Sequence, residues 1–88
     1  MSFRLADGVQ VRKESWGLLF YRQAQHKLCF VKSGDWLLPA HFDGAWTYSD
    51  IIADISRRTR APAEIIERAL PRLAGRLIKH RVILNEIR

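Results

Sequence analysis

Three short β-like apolar runs fill the first third of the chain, the first of them alternating with polar residues, and apolar residues then recur every three or four positions in the second half. The runs are Val9-Gln10-Val11-Arg12, Leu18-Leu19-Phe20-Tyr21 and Leu28-Cys29-Phe30-Val31. A period of two is the signature of a half-buried strand. It places Val9 and Val11 toward a core and Gln10 and Arg12 toward solvent. Asp7-Gly8 is a turn signal before the first strand, and Gly17 marks a bend opening the second. Residues 18–21 are apolar on both faces, as expected of a central strand covered by helices. Residues 22–26 make a polar hairpin loop, and 27–32 form the third strand.

Residues 33–42 predict a short, irregular first helix split by Pro39, which lacks a backbone donor. Asp43-Gly44 ends it. Thr47 followed by Asp50 has the form of a capping box, and Tyr48, Ile51, Ile52 and Ile55 continue at helical spacing. Arg57 and Arg58 near that helix's end complement its dipole. Pro62 suits the first position of a last helix, whose Ile66, Leu70, Leu73 and Leu77 share one stripe. Pro71 within it predicts a kink. Val82-Ile83-Leu84 reads as either a short strand or a docked tail. The expectation is an α+β fold, a three-stranded antiparallel N-terminal sheet followed by three helices. Its core would hold Leu19, Phe30, Ile51, Ile55, Ile66, Leu70 and Leu77.

Eighty-eight residues predict a single domain, 1–88, too small to hide a deep active site. Fifteen Lys+Arg against nine Asp+Glu give a formal charge of +6, which suits a solvated basic surface or an acidic partner. The lone Cys29 excludes an internal disulfide and a paired-cysteine metal site. No apolar stretch approaches a bilayer span, and the expected location is cytoplasmic, with no membrane partner. His26, His41 and His80 lack metal-ligand spacing, and each reads best as a lone surface or half-buried histidine. No nucleophile elbow, phosphate loop or dinucleotide fingerprint occurs. The residues therefore predict a binding module rather than an enzyme, with no catalytic residue, metal or cofactor.

Two surfaces could bind. On the last helix Arg68, Arg72, Arg76 and Lys79 project within an arc of roughly 80°, with Ile65 inside it. Ala69 and Leu73 join that arc to the core stripe. The third strand would lie at a sheet edge if the meander runs in chain order. Its Lys27 and Lys32 either guard the edge against aggregation or flank an edge kept for an added strand.

At this point two passages resemble a known family. Leu5-Ala6-Asp7-Gly8-Val9-Gln10-Val11-Arg12 resembles the "L-A-P-G-V-x-x-R" opening of PqqD-like proteins, with Asp7 in place of proline. Asp43-Gly44 with Thr47 and Asp50-Ile51-Ile52 is similar to their "D-G-x-x-T-x-x-E/D-I" passage. Residues 33–39 depart from the family's first helix start. The resemblance implies a winged helix-turn-helix-like fold and a peptide chaperone, or RiPP recognition element, for peptide biosynthesis. Such a domain takes the leader of a ribosomally made precursor peptide as an added strand and presents it to a modifying enzyme, often a radical SAM protein with a SPASM extension. The implied groove lies between the third strand and the last helix. One wall would be Lys27, Leu28, Cys29, Phe30, Val31 and Lys32. The other would be Ile65, Arg68, Ala69, Arg72, Leu73 and Arg76. A winged-helix DNA-binding domain is the runner-up. The strands precede the helices and the arginine helix has few base-reading side chains, which disfavours nucleic acid. A third reading is a subunit that docks on an enzyme through Trp16, Trp36 and Trp46.

Overall fold

The computed structural model describes residues 2–86. Three strands form an antiparallel meander in chain order: β2 (Val9–Glu14), β3 (Gly17–Arg22) and β4 (Lys27–Val31). The registers pair Val11 with Phe20 and Phe20 with Cys29, so the expected hairpins and the edge position of β4 are both present. A second antiparallel sheet has the order β5-β1-β6, built from β1 (Ser2–Leu5), β5 (Asp43–Thr47) and β6 (Ile83–Glu86). Two helices follow β5, α1 (Tyr48–Thr59) and α2 (Ala63–Lys79).

Residues 33–42 correct the expectation of a first helix. They make turns and one short 3-10 segment, Pro39–Phe42. Proline fits a first helical turn, where no donor is required, and inside a helix it costs a backbone hydrogen bond, which a segment as short as this one does not offset. The fold therefore has two α-helices rather than three among the described residues. Strands β1 and β5 had no period-two signal of their own, and Val82-Ile83-Leu84 resolves in favour of a strand beside β1.

Helix α1 starts as its sequence requires. The Asp50 amide donates to Thr47 Oγ1 at 3.1 Å, and the Thr47 amide donates to Asp50 Oδ2 at 3.0 Å. Two orphan donors of the first turn are thereby satisfied. Pro62 is the N-cap of α2 rather than its first residue, so the helix starts one position later than expected, and it continues through Pro71 without a break. Pro71 lies on the exposed side, where water can serve the carbonyl that the missing amide leaves unpaired.

Ile66, Leu70, Ala74 and Leu77 of α2 are buried with Ile51 and Ile55 of α1 and with Leu18, Phe20 and Val31 of the meander. Phe42 joins the two sheets. Its ring centroid lies 5.5 Å from that of Phe20 and 6.5 Å from that of Phe3. Two expected core members lie elsewhere. Leu19 is half-buried, and Phe30 is 57% exposed. In β3 and β4 the even–odd parity sends Leu18, Phe20, Cys29 and Val31 inward. Leu19, Leu28 and Phe30 stand on the opposite face, which no helix covers. There Phe30 meets Trp16 edge to face at 5.8 Å.

Gly17 admits β3 beside the end of β4. Its φ is +152°, and a Cβ there would strike the Val31 carbonyl oxygen and come within 2.6 Å of the Ser33 nitrogen. Only glycine allows this approach.

Candidate functional site

Two hollows that share lining residues lie between β4 and the end of α2, and a third lies between α2 and the residues that follow β4. The first, about 400 Å³, lies at the hairpin end between Lys27, Leu28 and Cys29 on one side and Lys79 and Arg81 on the other. The second, about 190 Å³, is lined by Leu28, Cys29, Phe30, Arg76 and His80. The third, about 380 Å³, is lined by Lys32, Ser33, Trp36, Ala69, Arg72 and Leu73. From these linings, α2 runs antiparallel to β4, with Lys79 near Lys27 and Arg72 near Lys32. Together the hollows make a trough that follows β4 and the turn after it along α2.

The sequence-predicted site residues divide cleanly. Lys27, Leu28, Cys29, Phe30 and Lys32 line the trough from the strand side, and Ala69, Arg72, Leu73 and Arg76 line it from the helix. Val31 does not: at 2% exposure it belongs to the core beneath. Ile65 and Arg68 are exposed on the first turns of α2, beyond the end of β4 and outside the hollows. Sequence reasoning placed Lys79 on the basic arc of the last helix but missed Trp36, His80 and Arg81 as trough residues. Trp36 lay in a segment read as an irregular helix, and His80 and Arg81 belong to the turn after α2, whose position depends on β6 docking against β1.

The physical character of the trough follows from these side chains. Ala69 and Leu73 are half-buried and give an apolar floor, while Arg72 and Arg76 are exposed and form a basic rim. The open side of β4 is an edge among the described residues, because β4 pairs with β3 alone. An edge strand carries backbone donors and acceptors that a further strand can use. Burial pushes the Cys29 thiol above its usual value, an effect that the nearby Arg76 charge opposes. The sulfur is thus a protonated, weakly polar part of the wall.

A second constellation has the residue types of a catalytic site and the burial of a structural one. The Leu38 amide donates to His41 Nδ1 at 3.1 Å, so the ring proton sits on Nε2, which donates to Asp54 Oδ2 at 2.9 Å. Arg57 and Arg58 donate to the same carboxylate at 2.9 and 2.8 Å. Arg58 also donates to the carbonyls of Asp35 and Trp36. His41 is fully buried, which corrects its reading as a surface or half-buried histidine; His26 and His80 are exposed as read. Burial lowers the His41 pKa, although the Asp54 hydrogen bond opposes the shift. Burial alone would raise Asp54, but its bonds to His41 and Arg58 outweigh that and hold it below the usual carboxylate value. Through this cluster α1 fixes the 3-10 segment and the turn carrying Trp36, and so one end of the trough.

Among the described residues no group of three or more His, Cys, Asp or Glu side chains could hold a metal ion. No helix there is long and apolar enough to cross a membrane. Compared with family models, curated proteins and solved structures, the chain matches none.

Proposed function

We propose that this chain is a non-catalytic peptide-binding domain that takes an extended peptide as a strand beside β4. The observation that carries the reading is the trough itself, where an open strand edge faces a helix across an apolar floor with a basic rim. Backbone pairing would supply affinity without regard to sequence, and alternate side chains of the peptide would supply specificity. Those on one face would drop onto Ala69, Leu73 and Trp36. Those on the other would extend the exposed face bearing Leu28 and Phe30.

By the resemblance of its opening and capping motifs to PqqD-like proteins, the peptide is the leader of a ribosomally made precursor. The partner that receives it is then a modifying enzyme of the radical SAM type, and the fold is a variant of the winged helix-turn-helix-like class in the cytoplasm. The test is titration of isotope-labelled protein with synthetic short peptides encoded beside its gene. Amide shifts confined to residues 27–32 and 69–76, with slowed exchange of the β4 amides, are the expected result. Shifts that avoid these residues and follow addition of duplex DNA would replace this reading with a winged-helix DNA-binding domain.

A further inference from the structure

The hollow at the hairpin end of the trough is unlike the other two. Four cationic side chains converge on it from separate places in the chain: Arg22 ends β3, Lys27 opens β4, Lys79 ends α2, and Arg81 lies in the turn leading to β6. Among the described residues no carboxylate lines it, although the chain has nine Asp and Glu. A basic surface spread for solubility alone would intersperse charges of both signs. Gathering like charges around one concavity weakens the fold by repulsion unless an anion occupies it.

Arg22 is also fixed in advance. Its Nη2 donates to the Arg81 carbonyl at 2.7 Å, while its Nε is buried without a hydrogen-bond partner among the described residues. A buried donor left unpaired is a place where an acceptor gains more than it would in water.

We infer that this hollow binds the carboxylates of an acidic peptide segment. The inference rests on the peptide reading above and adds the chemistry of one end of the ligand, which must carry Asp or Glu where it passes Lys27. Peptide is favoured over nucleic acid by shape. The cations line a cavity of about 400 Å³, room for a few side chains, and Leu28 and Cys29 line both this hollow and the next along β4. A helix that reads duplex DNA presents its cations on a convex face instead.

The experiment uses the full chain with blocked tetraglutamate, tetraglutamine and an oligothymidylate of matching charge, followed by amide shifts at low salt. Tetraglutamate is expected to move the resonances of Arg22, Lys27 and residues 79–82, and tetraglutamine to leave them in place. Lys27 and Lys79 are both exposed. Lys27→Gln with Lys79→Gln should therefore keep the fold, with a denaturation midpoint no lower than the parent's, and weaken tetraglutamate binding by about tenfold at low salt. Added salt should shrink that difference. Tetraglutamate shifts centred on Arg68 and Arg72, or an affinity that the double variant leaves unchanged, would overturn the inference. So would tighter binding of oligothymidylate at the same residues. A gene-neighbour peptide that still engages β4 in that event keeps the strand-addition reading alone. Tetraglutamate in the hollow with no peptide on β4 keeps the anion site and removes the strand addition.

Discussion

His41 Nε2 lies 2.9 Å from Asp54 Oδ2 with both side chains buried, and this pair ties the 3-10 segment before β5 to the middle of α1. Because the Leu38 amide occupies Nδ1, the imidazole is neutral in the folded state and protonation would break that bond.

The pH dependence follows from the direction of the two shifts. His41 is depressed on folding, so its contribution is complete above the unfolded value of about 6.5 and declines as pH falls toward the folded value. Asp54 is also depressed, and its contribution is lost only below the unfolded value of about 3.9. Urea midpoints measured from neutral pH downward should fall in two stages. His41→Gln keeps a donor for Asp54 and should remove the first stage. Asp54→Ala should cost about 3 kcal/mol at neutral pH, since it orphans a buried donor and frees Arg58 from its carboxylate.

Strand parity is tested by truncation. Ile55→Ala and Leu70→Ala remove side chains with 0% and 2% exposure and should each cost about 2–5 kcal/mol in chemical denaturation. Phe30→Ala, at 57% exposure, should cost about 1 kcal/mol or less despite its larger side chain. A Phe30 cost equal to that of Leu70 would place β4 in the opposite register.

Gly17→Ala should destabilise by about 1 kcal/mol or more, because the methyl group meets backbone rather than a yielding side chain. The amides of residues 31–34 should shift with it, as the clash falls on Val31 and Ser33. An unchanged midpoint would mean that β3 and β4 do not approach so closely there.

Two groups of trough variants should behave differently toward a bound peptide. Arg72→Glu with Arg76→Glu alters exposed rim charges, so weakening should be marked at low salt and small at high salt. Leu28→Ser with Phe30→Ser removes apolar area from the exposed face, and its effect, of about 1–2 kcal/mol, should persist at all salt concentrations. Titration calorimetry at two ionic strengths separates them.

Local signals were enough for much of this protein. Period two identified β2, short apolar runs identified β3 and β4, and the Thr47–Asp50 pair fixed the start of α1. The spacing of Ile66, Leu70 and Leu77 set the buried stripe of α2. Each depends on residues close together in the chain. The basic face of α2 was legible for the same reason. The two-sided placement of Leu19 and Phe30 was not, since a run apolar on both faces does not say which side a helix covers. Strands β1 and β5 pair with each other, and β1 also pairs with β6 from the opposite end of the described chain, associations that no local pattern records. His41 and Asp54 looked unrelated thirteen positions apart until the Pro39 turn brought them together. The cationic hollow is likewise a tertiary product: Arg22, Lys27, Lys79 and Arg81 become neighbours only because α2 returns antiparallel to β4 and the chain then turns into β6.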